Sequence, residues 1–176
     1  MSLQLNTPPV EEPVTVAQAR AWLRVESGGD EDALIARLIA AARARAEWHT
    51  GRAFVTQGWT LWLDGVRGAI EMPLAPLQAV TSVTLHHADG ATTLLDEAYV
   101  VSGQHLMLAM VPQALRVRDG IAVAFTAGYG AAEDVPAPIA QAILHIVSSL
   151  YEHRDGDAPT PDSALALLAP YRTIKL

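Results

Sequence analysis

The residues of this chain with the means to do chemistry are six histidines, an acidic cluster and a pair of serines. His86 and His87 are adjacent, so on a strand they point to opposite faces and cannot chelate one ion together. His145 and His153 lie eight apart, about 80° out of line on a helix. Neither a His-x3-His pair nor an HExxH motif is present, and those spacings put two imidazoles on one helical face. Cysteine is absent, which removes thiolate ligands, disulfides and a Cys nucleophile. Glu152, His153, Asp155 and Asp157 could serve as general acids and bases. They also have the composition of a solvated helix end followed by a linker. Ser148 and Ser149 lie near His145 in sequence, but neither occupies a G-x-S-x-G elbow. Gly28-Gly29 is not followed by Gly-Lys-Ser/Thr, and Gly128-Tyr129-Gly130 lacks the third glycine of a dinucleotide fingerprint. The expectation is no catalytic residue, no metal site and no cofactor.

Charge narrows the partners. Twelve basic residues stand against 19 acidic ones, a formal net charge of -7, and Lys175 is the single lysine. Tight duplex binding needs clustered Lys and Arg to displace counterions, so stable DNA binding is disfavoured. An acidic surface that lets DNA pass is compatible with this balance. Trp22, Trp48, Trp59 and Trp62 could stack on bases, but no basic residues interleave with them. An interface role fits them better, with Trp59 and Trp62 at opposite strand parity so that one faces outward. Hydrophobic residues make up 51% of the chain, ample for a core. No apolar run of about 18 residues is present, so a membrane-spanning helix is not expected. Residues 1–13 have no basic segment leading into an apolar one, unlike a secretory signal.

The elements that must position these residues follow from periodicity. Residues 1–14, with Pro8, Pro9 and paired acids, read as a flexible arm. Thr15 with Gln18 fits a capping box opening a short helix, with Val16, Ala19 and Leu23 on one face. Asp30 is the expected N-cap of a second helix. Leu34, Ile35, Leu38, Ile39, Ala42 and Ala46 form its apolar stripe, and Gly51 closes it. Its many alanines allow another backbone to approach, either within the domain or from another subunit.

From residue 54 to 126 the period falls to two. Trp59, Leu61 and Leu63 alternate with polar positions, as do Val83 with Leu85, and Ile121, Val123 and Phe125. About six short strands are expected, in an antiparallel sheet or small open barrel. Asp89-Gly90 and Asp119-Gly120 read as hairpin turns. Pro73 and Pro76 mark residues 72–80 as an edge or loop. Val135-Pro136 starts a third long helix, with Ile139, Ile143, Ile146 and Leu150 as its stripe. Residues 155–161 are a breaker-rich linker. A short helix over residues 162–168 follows, stopped by Pro170.

Several segments in this order resemble the head–tail connector (adaptor) proteins of long-tailed phages. They are Asp30-Glu31-Asp32-Ala33-Leu34-Ile35, the helix closing on Thr50-Gly51-Arg52, and a sheet ending in Ala127-Gly128-Tyr129-Gly130. Val135-Pro136-Ala137-Pro138-Ile139, Tyr151-Glu152-His153-Arg154 and Leu167-Leu168-Ala169-Pro170-Tyr171-Arg172 complete the series. The branch it is most similar to carries a β-rich insertion between helices. The resemblance implies an α+β fold, a small helical bundle with an inserted antiparallel β-rich subdomain and an extended C-terminal tail. Its parts are a flexible N-terminal arm (1–14), N-terminal helices (15–53), the β-rich insertion (54–130), a C-terminal bundle helix (131–154), and a linker with tail (155–176).

The implied role is structural. Copies, typically twelve, form a ring under the portal protein, extend the DNA channel and meet the stopper or tail-completion protein. DNA passes through without stable binding. The implied location is the neck of a virion or phage-like particle, and the host bacterial cytoplasm before assembly. Leu167, Leu168, Tyr171 and Arg172 are the implied portal or ring contacts. Leu165 and Leu168 packing on their own domain is the competing reading. Another neck component, such as a stopper, and a small enzyme using residues 152–157 are the alternatives for the whole chain.

Overall fold

A computed structural model describes residues 1–26, 31–66, 68–95, 98–110, 112–153 and 159–173. The chain divides into two compact units, one formed by Met1–Pro9 with Thr56–Gly128, the other by Val10–Val55 with Tyr129–Leu176.

The second unit is helical. Helix α1 (Val16–Leu23) opens on the expected capping box: the Thr15 hydroxyl accepts from the Gln18 amide, and the Thr15 amide donates to the Gln18 side chain. Helix α2 (Asp32–Thr50) ends on Gly51, whose φ of 68° is the left-handed conformation that glycine adopts without a Cβ penalty. The expected N-cap, Asp30, lies outside the described residues. Helix α3 (Ala137–Glu152) starts behind Pro136, as expected. Helix α4 (Asp162–Leu168) runs into a short 3-10 turn over Ala169–Tyr171.

The core of this unit gathers Ile35, Ile39, Ala42 and Ala46 of α2 with Ile139, Ile143, Ile146 and Val147 of α3 and Phe54. Leu34, Leu38 and Leu150, assigned to the stripes from sequence, are only half-buried on the flanks. Ala164 and Leu168 of α4 are fully buried in the same core. The segment after the linker is therefore part of the helical unit, not an independently moving tail. A short helix cannot persist alone, and the apolar side of α3 supplies its partner. Of the linker itself, residues 155–158 lie outside the described ones.

Among the described residues the first unit holds eight strands in two sheets. These are β1 (Ser2–Thr7), β2 (Gln57–Leu63), β3 (Ile70–Glu71), β4 (Leu77–His86), β5 (Thr92–Leu95), β6 (Tyr99–Ser102), β7 (His105–Leu108) and β8 (Ile121–Ala127). A five-stranded antiparallel sheet runs β1-β2-β8-β4-β5, and a three-stranded one runs β3-β7-β6. Leu61, Leu63, Val83, Leu85, Ile121, Val123 and Phe125 are buried, matching the period-two reading.

Three expectations change here. The arm expected over residues 1–14 contains an edge strand: Leu3 pairs with Leu61 and Leu5 with Trp59, and the Asn6 amide donates to the Thr60 hydroxyl. Alternating Leu3 and Leu5 carry the pattern of a strand, but its hydrogen bonds come from β2, some fifty residues away. Asp119-Gly120 does not join paired strands, because β8 lies between β2 and β4 while β7 belongs to the other sheet. The second hairpin is β6–β7, turned at Gly103, whose φ is 57°. The proline-marked segment is a loop only as far as Pro76. From Leu77 it becomes the interior strand β4, with register shifts near Leu77/Ala79 and Val80/Ser82. The Asp89-Gly90 turn between β4 and β5 stands as read.

Candidate functional site

The candidate chemical groups resolve into structural contacts. The His153 ring nitrogen meets the Ser149 carbonyl oxygen at 3.0 Å, covering an end group of α3. The Ser148 hydroxyl is 3.5 Å from Glu152, while Asp155 and Asp157 lie outside the described residues. His145 meets not Ser148 or Ser149 but the Ser163 hydroxyl, at 3.0 Å, and its ring lies 5.3 Å from that of Trp22. This contact ties α4 to α3.

His86 and His87 diverge as strand alternation demands. One ring lies against Trp62, and the other bonds the Thr93 hydroxyl at 2.9 Å. Among the described residues no cluster of three His, Asp or Glu is placed to hold a metal. A cavity of about 200 Å³ is lined, among the described residues, by Val66, Gly68, Ala69, Met107, Leu108 and Met110, none of them titratable. It is smaller than the sites that usually enclose small molecules.

The ordered polar network lies instead in the helical unit and acts on its shape. Arg43 donates to Glu12 and to Glu47, each at 2.7 Å, and Glu47 also accepts the Phe54 amide at 2.8 Å. Burial works against the Arg43 charge, yet the two carboxylates together hold its pKa above the ordinary arginine value. This node fastens the segment before α1 and the chain leaving α2 to one helix face. Tyr151 donates to the Glu31 carboxylate at 3.1 Å, joining the end of α3 to the start of α2.

The C-terminal residues are held at the end of α2. Arg52 donates to the Tyr171 carbonyl oxygen and to the Tyr129 hydroxyl. The Thr173 amide donates to the Thr50 carbonyl oxygen at 2.8 Å. Burial raises the Tyr129 pKa, and the neighbouring Arg52 charge offsets part of that rise. Of the four residues singled out from sequence, Leu168 is fully buried in the core of its own unit, the competing reading for that residue. Its position on α4 turns it toward α3. Leu167 and Tyr171 are half-buried and Arg172 is exposed. These three share one end of the helical unit.

The tryptophans sort differently from the sequence reading. Trp59 and Trp62 are both half-buried on β2, and Trp62 donates to Gln4 beneath the Arg116 guanidinium. Trp22 is 42% exposed, and the most outward tryptophan is Trp48 on α2, 89% exposed. Its signal was legible in the helical period, since position 48 falls opposite the Ile35–Ile39–Ala42–Ala46 stripe.

What this arrangement presents is a packed helical unit with exposed Trp48 and a C-terminal segment bonded to the end of α2. Residues 13–106 match the model of the phage gp6-like head-tail connector protein family. Among solved structures, a chain from the neck of an empty gene transfer agent (GTA) particle, computed with C6 symmetry, is 28% identical. It matches with a TM-score of 0.86, covering 100% of this chain and 97% of its own. Chains from the virion of a native GTA particle, and from the neck of a native GTA particle computed with C12 symmetry, match at 28% identity. Each has a TM-score of 0.81 and the same coverage. Among curated proteins there is no match.

Proposed function

This chain belongs to the phage gp6-like head-tail connector family, and from that premise we propose that it builds the ring joining portal to tail in a phage-like particle. Its role is structural, at the particle neck. The observation that carries the reading is the full-length likeness to neck chains, which spans both units and not one shared motif.

In this reading copies of the chain close a cyclic ring under the portal protein, and the ring prolongs the DNA channel toward a stopper or tail-completion protein. Cyclic closure needs heterologous contacts, in which one face of a copy meets a different face of the next. The rigid helical unit suits that demand, because its core and its Arg43 node hold those faces in fixed relation. Leu167, Tyr171 and Arg172 are the proposed portal contacts, with buried Leu168 setting their position. Tyrosine and arginine are residue types enriched in binding hot spots. The net charge of -7 keeps passing DNA from adhering, since like charge repels the phosphate backbone. No reaction is assigned to residues 152–157.

A side-chain-resolution reconstruction of the neck of particles carrying this chain tests the reading. A cyclic ring of the chain directly against portal is expected. Placement one ring further toward the tail would make it a stopper instead. In particles carrying Tyr171→Ala with Arg172→Ala, the copies per neck should fall while the isolated protein stays folded. Wild-type occupancy in that variant would remove these residues from the portal contact.

A further inference from the structure

Helix α2 buries one side and exposes apolar residues, beside Arg37, on the opposite one. Its inner side, Ile35, Ile39, Ala42 and Ala46, is fully buried in the helical unit. Its outward side presents Ala41, Ala44 and Trp48 at i, i+3 and i+7, all exposed. Scattered exposed apolar residues need no explanation. A tryptophan 89% exposed on a 19-residue helix, in line with two exposed alanines, is a different case. The alanines let another element approach the backbone, and Trp48 projects beyond them.

We infer that the outward face of α2, anchored by Trp48, seats the neighbouring copy of this chain in the ring, a contact that rests on the neck role proposed above. Two observations choose a second copy as the occupant. The matching neck chains come from assemblies of six- and twelve-fold cyclic symmetry, where the same joint recurs between every pair of neighbours. A rigid face away from the monomer core is what such a joint requires. Charge agrees: exposed Arg37 continues the Ala41–Ala44–Trp48 line one turn toward the start of α2, whereas the whole chain is at -7 and carries exposed acids such as Glu133. The acidic balance of a second copy is opposite in sign to Arg37, which favours that pairing.

The chain has no cysteine, so Ala44→Cys introduces a unique thiol for a short-armed photocrosslinker. The purified variant is labelled before assembly, incorporated into particles that lack their own copies of the chain, and irradiated. The expected product is an adduct of two copies of the chain. Trp48→Ala and Ala44→Glu, introduced separately into the full chain, should lower the copies per particle by about tenfold or more. Both side chains face solvent in the single chain, so its melting temperature should hold. An adduct to portal or another neck protein, or unchanged occupancy in both variants, overturns the α2 contact alone. Absence of the wild-type chain from the neck overturns the connector role and this contact with it.

Discussion

Leu168→Ala is expected to destabilise the chain by about 2–5 kcal/mol, the range for truncating a leucine in a core that cannot collapse. Leu168 has no exposed surface, and with Ala164 it fills the space beside Ile143, Ile146 and Val147. Closing the resulting cavity would require α4 to shift against α3. That shift is opposed from both ends of α4, by the Ser163–His145 bond and by the bonds of Arg52 and Thr173 at the tail. The cost should therefore sit toward the upper part of the range. In a chain of this length each kcal/mol lowers the melting temperature by about 2–4 °C, so a fall of about 4–20 °C is expected. Thermal and urea unfolding followed by circular dichroism measure it. Half-buried Leu167 is the internal control, and Leu167→Ala should cost clearly less. Removing residues 161–176 should cost more than Leu168→Ala, because it uncovers the side of α3 that Ala164 and Leu168 close. If Leu168→Ala melts within about 2 °C of wild type and the truncated chain is equally stable, α4 does not belong to the core. The tail would then be the independent arm that its linker composition suggested.

Arg43→Ala should cost about 1.5–3 kcal/mol in urea unfolding, because it leaves Glu12 and Glu47 without their charged donor in a largely buried setting. The Asp64 carboxylate accepts the Asp119 amide and lies near the Met1 amino group, which hold its pKa below the ordinary value of 3.8. A depressed folded-state pKa contributes stability that is present above 3.8 and lost as pH falls through the folded value. Asp64→Asn should accordingly flatten the acid limb of a stability–pH profile, by lowering stability slightly at neutral pH and leaving it unchanged at the acid end. Fluorescence anisotropy with duplex DNA at physiological salt should detect no binding, because few phosphate counterions can be released by one lysine and scattered arginines. Micromolar affinity there would reopen a DNA-contact role for Arg37, Arg43 and Arg45.

Local physics was largely legible in the linear chain. The Thr15–Gln18 capping box, the Gly51 helix end, the Pro136 helix start, the Asp89-Gly90 turn and the inward sides of α2, α3 and β8 all follow from interactions within a few residues. Composition also excluded thiolate chemistry, since it depends on residue type alone. The order of helix, strand-rich middle and helix carried the family resemblance. The tertiary structure decided what depended on distant partners. Ser2–Thr7 becomes a strand only because β2 offers a free edge. Asp119-Gly120 leads to no hairpin because its flanking strands enter different sheets. Leu167 and Leu168 are neighbours of one type, yet one is half-exposed and the other closed off, because α3 covers a single side of α4. The helical period places Trp48 opposite the apolar stripe of α2, but only the fold leaves it 89% exposed. Periodicity assigns a residue to a face, but whether that face is buried depends on what the rest of the chain folds against it.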